Sequence, residues 1–192
     1  MRHYLTTAFL LFLIISQPAT ASDSSWDHWL KPVAPSLLDG SPWDSAAKRH
    51  GIDDHWLLFA VTLEESGRID AETAVLRPWP FTLHRDKQKY TFPSKEEAQA
   101  TIREWEAQGF RNYDIGPLQI NRHWHGDHFD DLSDLLDVAT AIDYAASIIA
   151  DAHRRFGGDL IDATGRYRSW SNTRNAAEYA ERIRIIRVQL PE

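Results

Sequence analysis

Residues 56–63 read WLLFAVTL, eight positions without a charge. Wound into a helix, this run is apolar on every side. It has no face to offer to water and belongs in the middle of a domain. The chain of 192 residues is long enough to build a core around such a rod. Asp53 and Asp54 stand just before the run and suit a helix N-terminus, as cap and as negative charge at the positive dipole end. Gly67 suits the C-terminal cap. Between the rod and Gly67 come Glu64, Glu65 and Ser66. A carboxylate there is poorly solvated and lies near the negative end of the dipole, and both effects raise its pKa. A carboxyl group that stays protonated near neutral pH can serve as a general acid. The same two glutamates also fit a solvated last turn, because acidic residues at helix ends are common.

The flanking sequence is read by the same local signals. Ser41 and Pro42 are an N-cap and a first helical position for a helix over 43–50 that ends at Gly51. Pro78 and Pro80 exclude helix interior around Trp79. Residues 81–92, FTLHRDKQKYTF, alternate on each side of the charged centre Arg85-Asp86-Lys87. They predict a β-hairpin with Phe81, Leu83, Tyr90 and Phe92 on one face. Ser94 and Glu97 form a capping box for a polar helix to about Gln108, closed by Gly109. Hairpin and helix together are an insertion, over about 79–109. Gly116 and Pro117 predict a tight turn, followed by a short helix burying Leu118, Ile120 and Trp124. The longest helix is predicted over 137–156, carrying Val138, Ile142, Ala145, Ile148, Ile149 and Ala152 on one side. Asp159 caps the next helix, and Asn172 or Thr173 starts the last, which carries Tyr179, Ile183 and Ile186.

Composition narrows the function classes. The net charge is −7. This opposes duplex nucleic acid or an anionic membrane as the main partner. There is no cysteine, hence no disulfide, thiol nucleophile or thiolate metal site. Arg2 and His3 lead into an apolar run over 8–15, and Ala19-Thr20-Ala21 has the small-x-small form of a signal peptidase site. Residues 1–21 are therefore expected to be a Sec signal, removed on export, with no stable membrane insertion of the mature chain. Residues 22–42 are read as a leader, with Trp26, Trp29 and Leu30 on one short helix, and 43–192 as the domain. The eight tryptophans are many for this length. Aromatic faces suit sugar rings as well as cores.

Three motifs stand in order: Glu65-Ser66 at the end of the apolar helix, Gly116-Pro117-Leu118-Gln119-Ile120-Asn121, and Arg166-Tyr167-Arg168 in a late helix. Together they resemble the soluble lytic transglycosylases (SLT domains) of lysozyme-like fold, over roughly residues 43–187. Trp79-Pro80-Phe81-Thr82-Leu83 is similar to the W-P-W-T-L-type stretch of one branch, whose members often accompany conjugative or secretion complexes. Pro117 and Arg168 depart from the family pattern; Arg168 stands where the family has an asparagine. The resemblance implies a mainly α, lysozyme-like domain with a small hairpin-plus-helix insertion. It implies a periplasmic enzyme that acts on peptidoglycan glycan strands. Glu65 would be the catalytic acid, and Ser66, Gln119, Asn121 and Tyr167 would bind substrate. Glu64 would be structural, paired with an arginine. The alternatives are a hydrolytic muramidase and a non-catalytic cell-wall-binding protein of a secretion complex.

Residues 123–131, HWHGDHFDD, carry His123, His125, His128, Asp127 and Asp130. The expectation is loop and surface histidines, with no metal and no cofactor, because acid-catalysed glycan cleavage requires neither. No G-x-S-x-G segment supports serine hydrolase chemistry.

Overall fold

The computed structural model describes residues 35–69 and 76–191. The expected signal segment and the expected helix around Trp26 and Trp29 lie outside the described residues. A 3-10 turn, Pro35–Leu38, comes first, and its Leu38 is fully buried. The core therefore reaches into the segment expected to be a leader.

Helix α1, Pro42–His50, starts as its sequence predicts. Ser41 Oγ accepts from Asp44 N at 3.1 Å, Pro42 occupies the first turn, and Gly51 closes the helix in the left-handed region. Helix α2, His55–Ser66, is capped by Asp54, which accepts from Leu57 N at 3.2 Å. All eight residues from Trp56 to Leu63 are buried. The rod is enclosed by α1 and, further along the chain, by the longest and the last helices. One polar link crosses this core. Trp43 Nε1 donates to Thr62 Oγ1 at 2.9 Å, and that hydroxyl donates to Leu58 O at 2.8 Å. The hydroxyl is thus satisfied on both sides, as burial requires.

After α2 the chain forms a short antiparallel pair, β1 (Arg68–Ile69) with β2 (Leu76–Arg77). The predicted hairpin follows as β3 (Thr82–Arg85) and β4 (Gln88–Thr91). Asp86 and Lys87 both have positive φ, 54° and 67°. This is the left-handed two-residue turn that matches the twist of a hairpin. Leu83 faces Tyr90 across the pair. Helix α3, Lys95–Ala107, is capped by Ser94, and its Trp105 sits edge-on to Tyr90 at 5.4 Å.

Two findings depart from the sequence reading. First, the hairpin belongs to a four-stranded sheet, ordered β4-β3-β5-β6, with β5 (Asp114–Ile115) and β6 (Ile120–Asn121). Leu83 pairs with Ile115 and His84 with Asp114, so β3 is an internal strand. Second, the short helix expected to bury Leu118, Ile120 and Trp124 together is mostly strand and turn. Gly116 and Gln119 have φ of 79° and 48°, which a right-handed helix excludes. Leu118 and Ile120 are buried, but Trp124 is 73% exposed on the single turn α4, Arg122–His125.

Helix α5, Val138–Phe156, is capped by Asp137. Helix α6, Leu160–Arg168, is capped by Asp159. Helix α7, Thr173–Arg187, is capped by Asn172. Helix α7 packs along α2 and α6, which brings its inner face to the end of α2 that carries the glutamates. The molecule is thus mainly helical, with two small antiparallel sheets at that end of α2. Among the described residues no helix is long and apolar enough to cross a membrane.

Candidate active site

The last turn of α2 presents two adjacent carboxylates to different surroundings. One residue turns a helix by about 100°. The two side chains therefore point in different directions, each to its own partner on α7. Arg182 Nε meets Glu64 Oε1 at 2.5 Å. Glu65 instead accepts from Tyr179 Oη at 2.6 Å. Tyr179 and Arg182 are three residues apart on one side of α7, so a single helix supplies both partners.

Burial raises the Glu65 carboxyl to about 7. The Tyr179 hydrogen bond and the Arg168 charge oppose that rise without cancelling it, while Asp114 and Glu64 add to it. The phenols of Tyr179 and Tyr167 are both pushed well up, by burial and by the nearby Glu65 charge. They remain donors at any working pH.

Ser66 does not face the cavity. It is fully buried, donates from Oγ to Thr62 O at 3.1 Å, and accepts from Trp79 N at 3.3 Å. The expected contact with substrate gives way to a positioning role, because both capacities of the hydroxyl are used within the fold. Trp79 N also donates to Ser66 O at 3.2 Å. The end of α2 is thereby fastened to the entry of the hairpin. Gly67 follows with ordinary φ, and its place is sterically required: a Cβ there would lie 2.3 Å from Leu63 O.

Glu65 lies between two lobes of one cleft. The first, about 180 Å³, is lined by Glu64, Glu65, His84, Lys89, Asp114, Gln119, Arg168, Tyr179 and Arg182. The second, about 290 Å³, adds Asn121, Trp124, His125 and Tyr167 around the shared Glu65, Asp114, Gln119 and Arg168. A larger recess, about 650 Å³, sits at the opposite end of α2 beside Asp53, Asp54 and Arg187. Asp54 there is both the helix cap and the partner of Arg187 Nε at 2.6 Å.

Gln119 is held by its own turn. Its Nε2 donates to Gly116 O at 2.7 Å and to Thr82 O at 3.1 Å, leaving the amide oxygen in the cleft without a partner among the described residues. The turn demands glycine at 116. Its φ is positive, and a Cβ would lie 1.9 Å from Leu135 O. Asn121 lines the second lobe but is fully engaged. It donates to Asp114 Oδ1 at 2.7 Å and to Asn112 Oδ1 at 3.1 Å, and accepts from His123 N at 3.0 Å. Tyr167 donates to Leu118 O and lines the second lobe. Of the residues singled out by sequence, Glu65, Gln119, Asn121 and Tyr167 are brought to one cleft, and Ser66 lies behind it.

Tyr179, Asp114 and Lys89 are among the cleft residues that the sequence reading did not single out. Tyr179 was assigned only to the core of the last helix. Its hydroxyl was the available signal, since a buried phenol requires an acceptor. Asp114 sits on β5 with Oδ2 at 3.3 Å from His84 Nδ1. Lys89 reaches the cleft from β4, where no local pattern marks it, and Arg168, part of the third sequence motif, reaches it from the end of α6. The histidine segment has other attachments. His125 Nδ1 lies 3.1 Å from Tyr144 Oη, Asp127 accepts from Arg122 at 3.1 Å, and the His123 ring meets Trp124 edge-on at 4.5 Å. Among the described residues no group of three or more His, Asp or Glu side chains is placed to hold a metal ion.

Comparison of the chain with protein-family models, with curated proteins and with solved structures finds no match.

Proposed function

We propose that the protein is a lytic transglycosylase of peptidoglycan, with a lysozyme-like fold, exported to the periplasm. The observation that carries this reading is Glu65, a carboxyl held near pKa 7 at the end of a buried helix and facing an open cleft. Glu65 as the acid donates its proton to the oxygen of the MurNAc–GlcNAc bond, and the C1–O4 bond breaks. The 2-acetamido oxygen of MurNAc stabilises the positive charge at C1, in the role a second carboxylate fills elsewhere. Glu65, now a carboxylate, takes the proton of the MurNAc 6-hydroxyl. That oxygen closes on C1 and gives the 1,6-anhydro end. No water is consumed, and Glu65 regains its proton. Tyr179 donates to the carboxylate throughout and holds its orientation. Gln119 offers its free amide oxygen to a sugar hydroxyl or amide.

Digestion of sacculi with wild type and Glu65→Gln tests the reading by mass spectrometry. The expected result is 1,6-anhydro muropeptides from wild type and none from the variant. Equal release by both proteins would remove Glu65 from the reaction.

A second reading has its own support. Asp114 lines both lobes together with Glu65, and a second carboxylate is what hydrolysis by an activated water requires. A hydrolytic muramidase would give reducing ends heavier by one water. Asp114→Asn would then abolish turnover. In the transglycosylase it would only weaken it, through the contacts with Asn121 and His84. A role alongside a conjugation or secretion apparatus rests on the sequence resemblance alone.

A further inference from the structure

The cleft carries more positive charge than the molecule it belongs to. The chain is acidic, at −7. With Glu65 protonated, the first lobe has three permanent cations, Lys89, Arg168 and Arg182, against two carboxylates, Glu64 and Asp114. Arg182 is taken up by Glu64. Asp114 is engaged by Asn121 and His84. The Lys89 ammonium and the Arg168 guanidinium make no hydrogen bond or ion pair with any described residue. Arg184 and Arg187, by contrast, meet carboxylates of the chain itself. Two unpaired cations reaching one small lobe from different elements, the hairpin and the end of α6, are therefore a distinct feature.

Both residues are exposed, Lys89 on β4 and Arg168 at the end of α6, so an incoming anion can reach them. Serving Glu65 alone does not account for both. Arg168 lowers the acid's pKa, but burial outweighs it. Two cations aimed at the acid would otherwise work against the protonated form that the reaction needs.

We infer that Lys89 and Arg168 form a carboxylate-binding subsite beside the reacting bond, which selects glycan strands carrying free carboxylates over neutral ones. The inference rests on the glycan-cleaving reading and names the part of the substrate that reading leaves open. Peptidoglycan offers carboxylates from two sources next to the scissile bond, the peptide stem and the lactyl group of a stem-free MurNAc. Arg168 presents a planar fork suited to a carboxylate, and Lys89 supplies a point charge.

The test uses three substrates: native sacculi, sacculi with stem carboxylates converted to amides, and amidase-treated stem-free strands that keep the lactyl carboxylate. Binding is read by co-sedimentation of Glu65→Gln, alone and combined with Lys89→Gln or Arg168→Gln. Cleavage is read as kcat and KM for wild type and for the two single variants. A charge-assisted contact corresponds to about tenfold in affinity. Glu65→Gln is expected to bind native sacculi about tenfold tighter than amidated ones. Each added substitution should erase that preference while leaving binding to amidated sacculi as it was. In the cleaving protein the same loss should fall on KM, and Lys89→Arg should restore it. Preference for stem-free strands over amidated sacculi assigns the lactyl group; its absence assigns the stem. Equal binding of all three substrates, or substitution losses that are equal on all three, overturns the subsite. Because binding is measured without turnover, a protein that cleaves nothing but keeps the preference retains the subsite and refutes only the reaction.

Discussion

At the scale of residues, two adjacent glutamates divide the work. Glu65→Gln keeps size and hydrogen bonding but cannot deliver a proton. Its kcat is expected to fall about 10²–10⁴-fold. Glu64→Gln should keep most activity and cost no more than about 1 kcal/mol, the range of a partly exposed ion pair; sacculus digestion and urea melts of both variants check this. An acid with a pKa of about 7 is active while protonated. Activity should therefore decline as pH rises through about 7. Tyr179→Phe should move that decline upward, because it removes a hydrogen bond that favours the charged form. The same shift acts on stability. Between the ordinary glutamate value of 4.5 and about 7, the unfolded chain releases the Glu65 proton and the folded chain keeps it. Stability present below pH 4.5 is thus lost progressively up to pH 7. Glu65→Gln escapes this loss and should be more stable than wild type at pH 8, by up to about 3 kcal/mol. A melting temperature below wild type at pH 8 would contradict the burial of the acid.

At the scale of elements, the insertion is a structural wall of the site. β3 pairs with β5, which carries Asp114, and Thr82 O accepts both Gly116 N at 2.8 Å and Gln119 Nε2. Replacing residues 81–109 with a flexible linker would strip the pairing from the strand that holds the cleft. The expected outcome is loss of cooperative folding, visible as a lost or broadened thermal transition. A sharp transition with undiminished activity would show the hairpin to be dispensable. Trp105 fastens α3 to this wall. It lies 5.4 Å from Tyr90, 5.1 Å from Tyr113 and 4.4 Å below the Arg85 guanidinium. Trp105→Ala should cost about 3–5 kcal/mol in urea unfolding, the range for a buried aromatic replaced by alanine.

At the scale of the whole molecule, the proposed reaction needs one carboxyl and the substrate's own groups. The histidines of 123–128 are attached to Tyr144 and Trp124. EDTA is expected to leave melting temperature and sacculus digestion unchanged; a loss of either that zinc restores would assign the histidine segment to a metal. The two lobes converge because α2 ends where the sheet and α7 meet. The acid is thus fixed by a buried rod on one side and by a packed helix on the other, so little of its geometry depends on loops.

The sequence by itself determined the local frame. Asp54, Ser94, Asp137, Asp159 and Asn172 each cap a helix because a short polar side chain can reach the free N–H groups one turn ahead. The uncharged run 56–63, apolar on every side and preceded by a cap, reads as a core helix. The alternation of 81–92 could only be a hairpin, with its turn at Asp86-Lys87. The tertiary structure alone decided what those elements meet. Glu64 and Glu65 are chemically identical neighbours, and α7 makes one a salt-bridge partner and the other an acid. Ser66 is drawn to Trp79 and away from the cleft. Trp124 is left on the surface, because positive φ at Gly116 and Gln119 turns the segment into strands. Lys89 and Arg168 come together from elements far apart in sequence. Caps and periodicity are set by interactions within one or two turns of chain. Desolvation, ion pairing and exposure depend on neighbours that arrive only when the helices pack, and no local pattern records them.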